Sequence, residues 1–145
     1  MENKIVLLIE DNLDDAVLAV RAFKQNDVGT QVVLVNDGYE ALDYLYGSGC
    51  FANRDLSIMP GLILVDLKLP KLDGFGFLER VRNDARTKRL PVVVLTSSNE
   101  DQDRVKAYNL GANSYIRKPL DLPKFEETIR LLVQYWFTLN QPPPQ

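Results

Sequence analysis

A doubly wound α/β fold, with a five-stranded parallel sheet in the order 2-1-3-4-5 and helices on both faces, is what this sequence predicts. Three observations lead there. Five short apolar runs rich in β-branched residues recur along the chain: KIVLLI from Lys4, QVVLV from Gln31, GLILV from Gly61, PVVVL from Pro91 and NSYI from Asn113. Segments with helical spacing separate and follow these runs, so the chain reads as a strand-helix unit repeated five times. The runs are continuous rather than alternating, which is the pattern of parallel strands covered on both faces and joined by right-handed crossovers.

The helices are read from their apolar spacing. Leu13, Val17, Val20 and Phe23 form the expected core stripe of the first, and Ala41, Leu42 and Leu45 that of the second. Phe77, Leu78 and Val81 follow in the third, and Phe125, Ile129, Leu132 and Trp136 in the last. Isolated aspartates at segment starts (Asp14, Asp37, Asp101 and Asp121) are expected to be helix caps or turn residues. Residues 47–60 form the longest connection and contain Gly, Ser and Asn, so they are expected on the surface. With no internal linker, residues 1–140 are assigned to one domain, and 141–145, QPPPQ, to a tail that cannot continue a helix.

Composition narrows the function. With 145 residues, 46% hydrophobic and 26% charged, the chain suits one domain with a substantial core. A net charge of −3 with scattered basic residues gives no footprint for nucleic acid. No apolar run reaches the roughly 18 to 20 residues that span a bilayer. In MENKIVLLIEDN an acidic pair falls where a signal peptide would stay apolar, so a cytoplasmic location is expected. Cys50, the single cysteine, can form no internal disulfide and reads as an ordinary reduced thiol. The absence of histidine excludes Ser/His and Cys/His catalysis, and most zinc sites, within this chain.

The strand ends carry the chemistry. The first strand runs into Glu10 and Asp11, the third into Asp66, the fourth into Thr96, and the fifth into Lys118 and Pro119. Open α/β sheets bind ligands beyond the carboxyl ends of their strands, at the point where strand order reverses. In a 2-1-3-4-5 sheet that point lies between strands one and three, the two that end in carboxylates. Any one of these residues alone would be a cap or a solvated strand end. Together, three carboxylates within roughly 4 to 6 Å repel by a few kcal/mol per pair at an effective dielectric near 20, so a cation is required between them. An all-oxygen site with room for water suits Mg²⁺, and Lys118 adds a second positive charge.

This set of residues resembles the receiver domains of two-component response regulators, a flavodoxin-like family that includes the chemotaxis receiver. The likeness spans residues 4–132 and rests on Glu10 and Asp11, Asp66, Thr96, and Lys118 with Pro119. It implies that Asp66 accepts a phosphoryl group from a phosphohistidine on a partner kinase. It also implies that Asp11, Asp66 and the backbone carbonyl of Lys68 ligate Mg²⁺, with Glu10 acting mainly through water. Thr96 and Lys118 would hold phosphoryl oxygens, Tyr115 would be the switch aromatic, and the Lys118–Pro119 bond would be cis. Carboxylates do form phosphoryl intermediates, and phosphoryl transfer asks a protein mostly to position groups and neutralise charge. DLKLPKLDG, PVVVLTSS and the C-terminal QYWF most resemble the single-domain regulators of cyanobacterial phytochrome kinases.

Two alternatives are weighed. A haloacid-dehalogenase-type phosphatase needs a second carboxylate two residues after its nucleophile, where this chain has Lys68, a side chain expected in solvent. A phosphorylation-independent binding module would be expected to lack Asp66, Thr96 or Lys118, and all three are present. Because five units use up the chain, output is expected through contact with other proteins. A homodimer through the last helix is expected as well: Leu131 with Tyr135, and Val133 with Phe137, form further apolar stripes beyond the one that faces the sheet.

Overall fold

The structure, a computed structural model, describes residues 4–26 and 29–144. Met1, Glu2 and Asn3 of the N-terminal segment and Gln145 of the tail lie outside the described residues. The chain alternates β1 (Ile5–Ile9), α1 (Leu13–Asn26), β2 (Gln31–Val35), α2 (Gly38–Tyr46), β3 (Leu62–Val65), α3 (Gly74–Arg82), β4 (Val92–Thr96), α4 (Asp101–Asn109), β5 (Ser114–Arg117) and α5 (Leu122–Gln134). All strand pairs are parallel, and the order is β2-β1-β3-β4-β5, as the sequence predicts.

Alternate residues of each strand enter opposite core layers. Leu7, Ile9, Ile63 and Val94 meet Leu45, Phe77 and Leu78 of α2 and α3, whereas Leu8, Leu64 and Val93 meet Phe23, Phe125 and Ile129 of α1 and α5. Burial on both faces explains why the strands are continuously apolar rather than alternating.

Helix α1 corrects its predicted stripe. Its buried residues are Ala16, Ala19, Ala22 and Phe23, whereas Leu13 is 72% and Val17 48% exposed. The helix packs against α5, and small alanines permit a close approach that Leu and Val would prevent. The α1 cap also differs: Asn12 accepts the Asp15 N–H at 3.0 Å, and Asp14 is already inside the first turn. Asp101 likewise lies inside α4, which follows Glu100 without a side-chain cap. Asp37 and Asp121 cap α2 and α5 as expected, and Asp73 caps α3.

Phe125, Ile129 and Leu132 of α5 are buried as predicted, and Trp136 is half-buried. Val133 is buried too, so the Val133 stripe belongs to the core and not to an outer surface. Lying against both α1 and the sheet, α5 has two adjacent rows covered. A π-helical turn, Tyr135–Leu139, ends the helix, and residues 141–144 are irregular and exposed. Gln141 and Pro143 flank an open groove of about 840 Å³ beside Tyr135 and Trp136.

The 47–60 connection is mostly exposed, with one 3₁₀ turn, Gly49–Phe51. It is tied down by Arg54, which donates to the carbonyls of Tyr44 (2.6 Å), Leu45 (3.3 Å) and Ile58 (2.5 Å) and stacks 4.2 Å from the Tyr44 ring centroid. The bonds to Tyr44 and Leu45 satisfy carbonyls that the end of α2 leaves without helical partners. No helix among the described residues is long and apolar enough to cross a membrane.

Candidate functional site

Backbone pairing sets the site. β1 and β3 are in register through Ile9 and Val65, so Glu10 and Asp66 leave the sheet side by side. The ladder continues one step further: Glu10 N–H donates to Val35, Asp66 N–H to Ile9, and Lys118 N–H to Thr96, at 3.0, 3.2 and 2.7 Å. Each functional side chain therefore starts from a fixed backbone.

Carboxylate oxygens of Glu10, Asp11 and Asp66 lie within 4.8 Å of one another. Glu10 and Asp66 are 5% and 8% exposed. Charges at that spacing repel by about 3 kcal/mol per pair at an effective dielectric near 20, so the cluster calls for a cation. One is already present. The Lys118 ammonium donates to Glu10 Oε1 at 2.6 Å, Asp66 Oδ2 at 2.9 Å and Asp15 Oδ2 at 2.9 Å. Burial alone would lower the pKa of Lys118, but its bonds to Glu10, Asp66 and Asp15 outweigh that and hold it well above the usual lysine range. Burial likewise raises the Glu10 pKa, with Lys118 offsetting only part of the effect. Three carboxylates thus bond one ammonium, and the clustered oxygens of Glu10, Asp11 and Asp66 are hard ligands of the kind that could hold a small divalent cation.

Asp15 is the member that sequence reasoning missed. It stands five residues after Glu10 in IEDNLDD, among acids that read as helix-start residues, and only the fold shows that α1 aims it at Lys118.

The loop after Asp66 is pinned over the pocket. Lys68 N–H donates to Asp66 Oδ1 at 3.3 Å, and the Lys68 side chain is exposed, as expected. Gly74 N–H reaches the Leu67 carbonyl at 3.0 Å, and a Cβ on Gly74 would lie 2.4 Å from the Asp66 carbonyl oxygen, so no larger residue fits. Lys71 sits at φ 64°, a left-handed conformation uncommon for a residue with a side chain.

Thr96 and Tyr115 belong to an adjoining network centred on Ser98. Thr96 is fully buried, and its Oγ1 accepts the Ser98 N–H at 3.3 Å. Half-buried Tyr115 donates its hydroxyl to the Ser98 carbonyl at 3.3 Å, and Ser98 Oγ donates to Asp103 Oδ2 on α4 at 2.7 Å. No peptide bond among the described residues is cis, so Lys118–Pro119 is trans, against expectation. The trans form is the intrinsic preference of an X–Pro bond by about 0.5 to 1 kcal/mol.

A parallel sheet whose switch point gathers carboxylates around one lysine, beside a buried threonine and a half-buried tyrosine, is the arrangement of a receiver domain. The sequence profile of the response regulator receiver domain matches residues 6–130, and the chain belongs to that family. It is 39% identical to "Probable methanogenesis regulatory protein FilR2" of Methanothrix harundinacea, over 96% of this chain and 87% of that one. It is 33% identical to response regulator Rcp1 of Synechocystis sp., over 92% of this chain and 88% of that one. Among solved structures, the phosphorylated cyanobacterial phytochrome response regulator RcpA superposes with a TM-score of 0.90 at 37% identity, covering 98% of this chain and 99% of that one. The Mn²⁺-bound form of Rcp1 superposes with a TM-score of 0.87 at 31% identity, covering 97% and 99%.

Proposed function

We propose that Asp66 accepts a phosphoryl group from a phosphohistidine of a partner kinase, assisted by Mg²⁺, and that the phosphorylated chain signals by protein contact. The observation that carries this is the convergence of Glu10, Asp11 and Asp66 on one point with Lys118 already bonded to Asp66. In the transfer, an Asp66 carboxylate oxygen forms a bond to phosphorus while the bond from phosphorus to the donor imidazole nitrogen breaks. The electron pair leaves on that nitrogen. Asp11, Asp66 and the Lys68 carbonyl would hold the Mg²⁺, with Glu10 reaching it through water; when bound, it supplies positive charge to the equatorial phosphoryl oxygens. Lys118 gives an N–H to one of those oxygens and buried Thr96 gives its hydroxyl to another, so no step needs a histidine of this chain. Hydrolysis of the aspartyl phosphate by the same residues returns the chain to its starting state. Tyr115 would then leave Ser98 and turn inward as Thr96 moves towards the phosphoryl group, biasing a two-state equilibrium.

The likeness to Rcp1 and RcpA supports a phytochrome-type kinase as donor. Exposed Leu13, Val17 and Leu120, close in sequence to Asp11 and Lys118, offer an apolar rim on which such a partner can seat. Residues 1–140 would form the receiver, placed in the cytoplasm where such kinases phosphorylate, with 141–145 as its tail. For a homodimer, Leu131, Tyr135 and Leu139 of the C-terminal helix remain exposed, at 51%, 46% and 63%. Intact mass after incubation with a small phosphodonor and Mg²⁺ tests the chemistry. A gain of one phosphoryl group that requires both Mg²⁺ and Asp66 is expected; a gain that persists in Asp66→Asn would refute it.

A further inference from the structure

We infer that Asp15 is a positioning residue for this reaction: together with Glu10 it fixes the Lys118 ammonium so that its third N–H is aimed at the group carried by Asp66. This rests on the function proposed for Asp66. An ammonium has three donors, and in Lys118 all three are committed, to Glu10, Asp15 and Asp66. If Asp66 takes a phosphoryl group, the donor it held becomes available to a phosphoryl oxygen. The other two must keep the nitrogen in place, since a lysine ends a flexible four-carbon stem and has no rigid fork of its own.

The surroundings of Asp15 are built for that task. Asn12 N–H donates to Glu10 Oε2 at 3.1 Å, and Asn12 Oδ1 accepts from Asp15 N–H at 3.0 Å. Glu10, Asn12, Asp15 and Lys118 therefore close a ring of hydrogen bonds, in which the cap of α1 sets the position of the carboxylate that holds the lysine. An acid in the first turn of a helix ordinarily serves the helix, by favouring its dipole or by returning to the cap N–H. Here the cap N–H is already taken by Glu10, and the Asp15 side chain reaches instead across to the residue that follows β5. Asp14, one position earlier, is exposed and supplies the dipole-favouring charge without touching the site.

A negative charge here has an opposite potential effect, repelling an incoming anionic donor, and two substitutions separate it from positioning. Asp15→Asn keeps an oxygen acceptor and removes the charge, whereas Asp15→Ala removes both. Two quantities are measured: the phosphorylation rate with phosphoramidate and Mg²⁺, and the ¹⁵N signal of the Lys118 ammonium, seen only while its protons are held from exchange. We expect Asp15→Ala to lose the ammonium signal and to slow phosphorylation by about tenfold, the scale of one charge-assisted hydrogen bond. Asp15→Asn should keep the signal and stay within about threefold of wild type. Asp14→Ala, which removes a helix-start charge from the same turn, should change neither. The inference is overturned if Asp15→Ala keeps a wild-type signal and rate, or if both Asp15 variants speed the reaction, since repulsion would then dominate. If the wild-type chain takes up no phosphoryl group, the proposed function fails, while the ammonium signal still decides whether Asp15 holds Lys118.

Discussion

The two ends of the sheet use cations in opposite ways. At the carboxyl end, Lys118 is surrounded by carboxylates that outnumber it, and burial leaves Glu10 easier to protonate than a free glutamate. At the amino end, Arg82 donates to neutral acceptors: the carbonyls of Gly111, Lys88 and Leu90 and the side-chain oxygen of Asn113, at 2.9, 3.0, 2.7 and 2.8 Å. Asn113 in turn accepts the Val92 N–H, so one guanidinium joins α3 to the starts of β4 and β5. The amino end is thus a satisfied clamp, whereas the carboxyl end carries an excess of negative charge. The two kinds of cation site are separated along the strand direction.

The largest expected effect comes from breaking the clamp. Arg82→Ala leaves the half-buried Leu90 and Gly111 carbonyls without this donor and empties the space of a half-buried side chain, and a loss of about 2 to 3 kcal/mol in unfolding free energy is expected. Urea denaturation measures it. The divalent-metal affinity of the fraction that remains folded should equal that of wild type; a change in that affinity would mean that the two ends are coupled.

The carboxyl end should show the reverse. Asp66→Asn removes one member of a mutually repelling group, so without metal the variant should be at least as stable as wild type. Mg²⁺ should then raise the stability of wild type by about 1.4 kcal/mol at a free concentration ten times its Kd, and that of the variant far less. Thermal unfolding with and without Mg²⁺ gives the comparison. Equal stabilisation of both proteins would place the ion elsewhere.

The same contrast explains what could be read from the sequence. Strand cores were legible because burial on both faces demands unbroken apolar runs, and Glu10, Asp11, Asp66, Thr96 and Lys118 were legible because each stands at the end of one. Asp37 and Asp121 were legible as caps because their effect is local. Residues acting across the chain were not. Asp15 meets Lys118 over 103 positions and Arg82 meets Asn113 over 31, and neither has a motif of its own. The α1 stripe was misread for a related reason: packing against α5 selects the alanines for the interior and leaves Leu13 and Val17 outside, which spacing alone cannot show.

A smaller effect is expected where the two regimes meet, at Tyr115. Its hydroxyl donates to the Ser98 carbonyl at 3.3 Å, so Tyr115→Phe should cost roughly 0.5 to 1 kcal/mol or less. It should also shift the ring towards its inward position, raising the affinity for a phosphoryl mimic such as beryllofluoride by a few-fold at most. Unchanged affinity together with an unchanged ring environment in NMR would remove Tyr115 from the switch.

The smallest effect lies at the amino end, in a pair that is balanced one to one. The Arg86 side chain donates to both Asp84 carboxylate oxygens, at 3.0 and 2.7 Å, and its backbone N–H adds a third bond at 2.9 Å. These bonds lower the Asp84 pKa to about 2, opposite in direction to the shift of Glu10. A carboxylate whose folded pKa is depressed stabilises the fold above its unfolded pKa and loses that contribution as pH falls through the folded one. For Asp84 the window runs from the ordinary value of 3.8 down to about 2. Because Arg86 is exposed and Asp84 only half-buried, the effect should be clear in a carboxyl ¹³C titration and slight in unfolding. Arg86→Ala should move the Asp84 midpoint up towards 3.8 while leaving the phosphorylation rate untouched. A midpoint near 3.8 already in wild type would mean that solvent, rather than Arg86, sets the charge of Asp84, and the one-to-one contrast with the crowded carboxyl end would lose its second example.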